Sequence, residues 1–492
     1  MSAESANPVS SIKDKAVRGV AWNFLNAGSG FTMQLVRAVV LARLLSRTDY
    51  GLTGKAVAAT FVATLFTNIG FGTAIVQARH LSRNTVESIF TLQFLVGLLL
   101  ALCLAATSTF LAEFYGDTRL IWLVTALGTG IWLNCAMVVP VAMMQRELRF
   151  KELNLMWISV RFVSFSAAIL MALTGCGYWT LIIPDLVSRF LAFPYILWRR
   201  RWRPSLRFAV SDLKPVASVS AKSFATFCLA TANTSLDYAI LGRFFSRPVF
   251  GLYYFGYQRV RGPMRMAVTS VRSALFPAFT KATTEEGLRS SIVRTIPVLA
   301  IVTYPLAACL FLTIPQMVPL IFGHKWQDTS PIMQAFTVGA LFIPANLVFS
   351  SAFLARAIFK PSLIEGSIRV TLIGMGLIWL GITQQSILTC AMWVVTVEAI
   401  GNLILLVWGT RLFKVPIRSL SRDLCLPFAA ILTAALCDLA WGTLRFEYSG
   451  IHAWLILALR VLQIVLVSGT IIWLLAPQTV AEIGKIFRLI KN

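Results

Sequence analysis

The chain has 492 residues, 57% of them hydrophobic and only 13% charged, with a formal net charge of +24. Soluble domains carry about a quarter charged residues, so this balance excludes a water-soluble globular protein and points to a polytopic membrane protein. The positive excess by itself would suit nucleic acid, but it sits in short segments between long apolar runs. It therefore reads as membrane topology and contact with anionic lipid, with no nucleic-acid partner.

A helix needs ~20 apolar residues to cross the hydrocarbon layer. Fourteen such windows follow one another, approximately Val17–Leu45, Tyr50–Gln77, Val86–Glu113, Leu120–Met144, Leu153–Leu173, Gly177–Trp198, Val216–Leu241, Phe250–Phe279, Ile292–Phe322, Pro331–Leu354, Ser362–Gly381, Ile387–Gly409, Leu424–Leu444 and Ile451–Leu475. The expected fold class is thus all-α and polytopic, with about 14 transmembrane helices. The first window is longer than the core of a signal peptide and lacks a small-residue cleavage site, so it is expected to be a retained span. With the amino terminus in the cytoplasm, the cytoplasmic segments and adjoining span ends hold 26 Lys and Arg against seven outside, led by "RRRWRPSLR" at 199–207 and "RLFKVPIR" at 411–418. That asymmetry places both termini inside.

One turn occurs twice. "LARLLSRTDYGL" at 41–52 aligns without a gap to "LGRFFSRPVFGL" at 241–252, matching Leu41, Arg43, Ser46, Arg47, Gly51 and Leu52 to Leu241, Arg243, Ser246, Arg247, Gly251 and Leu252. The first copy joins spans one and two, the second spans seven and eight. Six intervening spans, an even number, keep both copies in one orientation, which predicts parallel repeats about an axis along the membrane normal. The expected organisation is two parallel-repeat six-helix bundles, 1–198 and 216–410, joined by a basic cytoplasmic linker at 199–215. Two extra helices follow in 411–476, then an amphipathic cytoplasmic tail at 477–492.

The eight cysteines include no CxxC pair, and the histidines His80, His324 and His452 are far apart. No metal or other cofactor is expected. Nor is there a nucleophile–base pair, a Gly-rich phosphate loop or an ATP-binding segment, so the chain is not expected to be an enzyme or a primary pump.

Leaving aside Arg18, Arg43, Glu87, Glu113 and Arg294 at the span ends, eleven basic residues fall within the spans, Arg37, Lys55, Arg161, Arg189, Lys222, Arg259, Arg261, Arg265, Arg272, Arg369 and Arg460, against five acids, Asp185, Asp237, Glu365, Glu398 and Asp438. A charge at the bilayer centre costs about 2.5–3.5 kcal/mol even on insertion scales, so each needs a partner, water or a substrate. Asp185 with Arg189 and Glu365 with Arg369 are four apart and suited to local pairing, while Lys55 and Lys222 lie near span ends and are expected to reach water. On span eight, Tyr254, Gln258, Arg261, Arg265 and Arg272 fall within about 60° of one another at 100° per residue, a cationic stripe without an acid of its own. On span one, Asn23, Asn26, Gly30, Gln34 and Arg37 share a face of about 80°. Both stripes are expected to line a cleft between the bundles. The alternative for each arginine is an acid on another helix or a lipid headgroup.

Several segments carry a resemblance: "VRGVAWNFLNAGSGFTMQLVRAVVLARLLSRTDYGL", "VPVAMMQRELRFKEL", "GYWTLIIPDLV", "LDYAILGRFFSRPVFGLYYFGYQ", "LFPAF" and "LIFGHKWQDTSPIMQ". From about residue 13 to 415 the chain resembles the polysaccharide-transporter branch of the multidrug, oligosaccharidyl-lipid and polysaccharide exporter superfamily. The resemblance implies a flippase of the bacterial inner membrane that moves undecaprenyl-pyrophosphate-linked oligosaccharide to the periplasmic leaflet for capsule, exopolysaccharide or O-antigen assembly. Membrane lipids, and polysaccharide polymerase and export proteins, are the other expected partners. Under this reading the headgroup is held by Arg37, Arg161, Arg259, Arg261, Arg265, Arg272, Asn23, Asn26, Gln34 and Gln258, because guanidinium forks suit diphosphate oxygens. Asp237 and Glu398, with no basic residue four away, are candidates for ion coupling, with pairing to the span-eight arginines as the other reading. A drug or cation exporter of the same superfamily would share the fold but favour an acidic or aromatic pocket. A membrane polymerase or glycosyltransferase would generally need a larger outer loop.

Overall fold

The computed structural model describes residues 26, 28–78, 80–200, 202, 204–281, 284–356, 358–416 and 451–475. Span thirteen, Asn23 and the amphipathic tail lie outside them. All regular structure among the described residues is helical, and eight segments are long and apolar enough to cross a membrane. The chain divides after Gly251 into two compact units.

The first unit begins with α1 (28–44), α2 (Arg47–Ala59), α3 (Phe61–Leu65) and α4 (Phe71–Gln77). It continues with α5 (Arg83–Phe114), α6 (Leu120–Arg146), α7 (Phe150–Leu173), α8 (Ile183–Arg200) and α9 (Lys214–Phe244), and closes on the first turn of α10 (Arg247–Lys281). Span two, one continuous apolar run in the sequence, is broken into α2, α3 and α4, all packed on α9. The break has a local cause. The hydroxyls of Thr60, Thr64 and Thr67 each donate to a carbonyl three residues back, a competition that bends helices. Gly70 then takes φ +85°, lying so close to α9 that an added Cβ would strike the Ser220 backbone. That conformation and that approach both require glycine.

The repeated turn meets its own copy. Ser46 caps α2 in a reciprocal box, its hydroxyl accepting from the Asp49 amide at 3.2 Å while its own amide donates to the Asp49 carboxylate at 2.9 Å. The helix that follows crosses the first turn of α10 backbone to backbone. A Cβ at Gly51 would fall on the Arg247 carbonyl oxygen, and one at Gly251 on the Arg47 carbonyl oxygen. These are equivalent residues of the two copies, so the contact reads the same from either side, the mark of a local two-fold relation. Around it Arg247 pairs with Asp117 at 3.0 Å, and the Tyr115 hydroxyl donates to the Ala239 carbonyl at 3.1 Å. Lys55 does not reach water as its place near a span end suggested. It is buried, and its Nζ donates to the Tyr115 carbonyl at 3.0 Å.

The second unit holds the rest of α10, α11 (Glu285–Phe322), α12 (Ser330–Val338), α13 (Ile343–Ala355), α14 (Lys360–Ile382), α15 (Ile387–Leu412) and α16 (Ile451–Leu475). Span ten is also interrupted, by a 3-10 turn at Gly339–Phe342 between α12 and α13. Phe279, Leu288, Ile292 and Ile296 pack against Val348, Phe349, Phe353 and Leu405 to form its core. Phe255 stacks on the fully buried Trp326 with ring centres 3.9 Å apart. Lipid tails are as apolar as leucine, so close fit rather than exclusion of water holds these faces together.

Candidate substrate-binding cavity

Within the first unit a cavity of about 600 Å³ opens between α1, α6, α7 and α8. Its wall carries Asn26, Asn134, Gln145, Asn154, Arg161, Asp185 and Arg189. A wall this polar inside an apolar bundle is costly unless its groups satisfy one another or a ligand.

Most of them are hydrogen-bonded within the protein. Asn26 Nδ2 donates to Asn154 Oδ1 at 2.7 Å, and Arg161 Nη1 donates to the Asn26 carbonyl and side-chain oxygens at 3.0 and 2.8 Å. Arg37 Nη1 reaches Asp185 Oδ1 at 2.8 Å and Ser164 Oγ at 3.3 Å, and that serine donates to the same carboxylate oxygen at 2.7 Å. Arg189 donates to the Gly130 carbonyl at 3.2 Å. Glycines make room for two of these cations, since a Cβ at Gly30 would strike the Arg161 guanidinium and one at Gly130 would lie 2.8 Å from Arg189 Nη1.

Charge is unevenly compensated here. Arg37 holds a carboxylate, but the hydrogen bonds of Arg161 and Arg189 go to neutral oxygens, and neither has an acidic hydrogen-bond partner among the described residues. With Arg37, which meets Asp185 from outside the lining, three guanidinium groups stand against one carboxylate, 3 − 1 = +2. Neutral acceptors bind a guanidinium less strongly than a phosphate or carboxylate does, so these two arginines would gain from an anionic ligand.

The structure brings Arg161 and Asn26 of the expected site together on the cavity wall, and sets Arg37 behind it, paired with Asp185. It adds Asp185, Arg189, Asn154 and Ser164, which sequence reasoning had not placed there. Asp185 takes Arg37 of α1 and Ser164 of α7 as hydrogen-bond partners rather than the neighbour four residues on. A signal for α7 was present, because Asn154, Trp157, Arg161 and Ser164 lie within about 80° at 100° per residue. Gln34 is exposed and does not line this cavity.

The span-eight residues have other surroundings, in the second unit. Arg261 forms a two-pronged ion pair with Glu398, each guanidinium nitrogen meeting one carboxylate oxygen. Its charge also lies over Tyr257 and Phe336, 5.4 and 5.3 Å from the ring centres. Arg259 lies 5.0 Å from the Phe255 ring centre, and Gln258 is half-buried nearby in sequence. The side chains of Arg265 and Arg272 lie outside the described residues. Asp237 is buried in the first unit, where its carboxylate accepts the Tyr238 amide at 2.9 Å. Glu365 and Arg369 form the local pair their spacing suggested, with Arg369 Nε 2.7 Å from Glu365 Oε1.

Comparison with known proteins agrees with this architecture. The family model described as "Polysaccharide biosynthesis protein" matches residues 40–331. The teichuronic acid biosynthesis protein TuaB of Bacillus subtilis is 24% identical over 92% of this chain and 94% of its own length. The lipopolysaccharide biosynthesis protein WzxC of Escherichia coli is 25% identical over 70% and 71%. Among solved structures, the lipid II flippase MurJ in an inward closed conformation superimposes with a TM-score of 0.72 over 93% of this chain and 99% of that one, at 16% identity. The chain belongs to the polysaccharide biosynthesis protein family, whose model covers more than half of it.

Proposed function

We propose that this protein is a flippase of the bacterial inner membrane that carries undecaprenyl-pyrophosphate-linked oligosaccharide from the cytoplasmic to the periplasmic leaflet by alternating access, for exopolysaccharide, capsule or O-antigen assembly. The observation that carries the reading is the cationic cavity, in which Arg161 and Arg189 hold neutral oxygens beside the Arg37–Asp185 pair. A diphosphate would replace those neutral acceptors with charged ones, while the lipid tail stays in the bilayer. Transport of this kind makes and breaks no covalent bond of the substrate. Support comes also from relatives named for teichuronic acid and lipopolysaccharide biosynthesis, and from the fold shared with a lipid II flippase.

The fourteen-span count, the bundles at 1–198 and 216–410, and cytoplasmic termini belong to this proposal. So do headgroup contacts by Arg259, Arg265 and Arg272, and ion coupling at Asp237 or Glu398, the latter through release of Arg261. A multidrug transporter of the same superfamily shares the fold at a TM-score of 0.58, but a net positive cavity repels the cationic compounds such a pump would favour. Reconstitution of the purified protein in vesicles tests the proposal. Lipid-linked oligosaccharide should cross without being lengthened, and Arg161→Ala and Arg189→Ala should abolish crossing. Lengthening of the sugar, or crossing that survives loss of both arginines, would overturn it.

A further inference from the structure

The basic linker between α8 and α9 is held in place as a strap. Ser205 Oγ donates to Glu87 Oε2 at 2.5 Å, the Ala209 amide donates to Ser88 Oγ at 3.2 Å, and Ser88 Oγ donates in turn to Asp212 Oδ2 at 3.1 Å. Thr91 Oγ1 reaches the Ser205 carbonyl at 3.4 Å, and Trp202 sets its edge on Phe90 with ring centres 5.2 Å apart. On α5 the receiving residues, Glu87, Ser88 and Thr91, are all buried. The first turns of α5 thus spend their polar groups fixing this strap.

What the strap presents outward is unexpected for an aqueous loop. With Ser205 and Ala209 bonded to α5, the large apolar side chains between and just after them are left uncovered. They are Leu206, Phe208 and Val210, exposed by 70%, 49% and 66%, and Trp198 at the end of α8 is exposed by 70%. Between and beside them stand cations. Arg207 is exposed, and Arg83, also bonded to Glu87, leaves 80% of its side chain free. Arg199, Arg200, Arg201 and Arg203 precede them in the sequence. The strap joins the ends of two long helices, so it lies at the depth where hydrocarbon gives way to headgroups.

We infer that Trp198 and residues 204–210 form a fixed interfacial anchor whose apolar residues, Leu206, Phe208 and Val210, enter the acyl boundary of the adjacent leaflet while Arg83, Arg199 and Arg207 hold anionic phospholipid headgroups. The apolar residues supply burial and the arginines supply charge complementarity, the two components of interfacial binding. Because the strap is bonded to α5 beforehand, its side chains enter the lipid without first paying to order the chain.

The test uses the full chain in a cysteine-free background, reconstituted in nanodiscs, with single cysteines at 206, 208, 210 and 211 bearing an environment-sensitive fluorophore. In discs containing phosphatidylglycerol, probes at 206, 208 and 210 should shift to shorter wavelength. Brominated acyl chains should quench them at least roughly twofold more than the probe at Ser211, and aqueous iodide should do the reverse. Arg199→Gln with Arg207→Gln should remove the preference for phosphatidylglycerol over phosphatidylcholine, as should raised salt. Equal iodide quenching at all four positions would overturn the anchor. Equal shielding in neutral and anionic discs would overturn the role of the headgroup charge. Shielding that appears only in discs holding two copies, or only after a cell extract is added, would assign the apolar residues to a protein partner instead.

Discussion

At the scale of single residues, the two cationic clusters differ in what an alanine would reveal. Arg161 is bonded to neutral oxygens, so its removal leaves Asn26 still held by Asn154 and strands no charge. Arg161→Ala is expected to keep normal abundance and thermal midpoint in detergent while transport of lipid-linked oligosaccharide falls at least about tenfold, as for loss of a charge-assisted pair. Arg161→Lys should restore only part of it, because a point charge lacks the guanidinium fork. Arg261 is the opposite case. Its removal leaves Glu398, itself buried, without its two-pronged partner, a loss of about 3–5 kcal/mol in buried pairs. Arg261→Met should therefore lower abundance and thermal midpoint, and adding Glu398→Gln should recover most of the loss. A midpoint unchanged in the single variant would show that the pair does not hold the second unit together. Which of these arginines had an acid was only partly legible beforehand. Spacing gave Glu365–Arg369, since both ends lie on one helix, but Arg37–Asp185 and Arg261–Glu398 join helices far apart in the chain, and periodicity on one helix carries no information about which face of another it meets.

Elements were legible where composition alone decides them. The long uninterrupted runs, such as those that became α5, α6 and α15, appear as single helices near their expected bounds. Spans two and ten were not, because hydropathy does not register a break whose cause is a threonine hydroxyl or a 3-10 turn at Gly339. The twice-written turn was legible as a repeat, yet its physical use became visible only in the crossing of α2 on the start of α10. That crossing makes a test with its own control. Gly51→Ala and Gly251→Ala each push a methyl into a backbone carbonyl, which cannot rotate away. Each is expected to cost about 1–3 kcal/mol, by the measure of overpacked cores, and the two costs should be similar because the contact is reciprocal. Gly28→Ala, in α1 with open space around its Cβ position, should be neutral or slightly stabilising. Thermal midpoints of the three variants in one detergent check this. A neutral Gly251→Ala beside a costly Gly51→Ala would mean that the two-fold relation is not a property of the crossing.

For the whole molecule the question is direction, since the proposed flippase works from one leaflet to the other. The twice-written turns and the Asp117–Arg247 pair lie at one end of the first unit. In the orientation proposed from the charge count, 26 Lys and Arg against seven, that end would be periplasmic and the strap at 198–210 cytoplasmic. The strap's arginines would then face the leaflet in which lipid-linked precursors are made, and the packed crossing of Gly51 and Gly251 would close the opposite side. Orientation follows Lys and Arg in short loops near span ends, and every connection counted here is short, so the rule applies in its strong form. A reporter active only in the periplasm, fused after Asp117, should be active, and the same reporter fused after Arg203 should be silent. Because the two sites are separated by three long helices, α6, α7 and α8, an odd number of crossings demands opposite results whatever the absolute orientation. Equal activity at both positions would therefore count against the span assignment itself. Exchanged activity would keep the spans and reverse the direction of transport, moving the anchor to the outer leaflet.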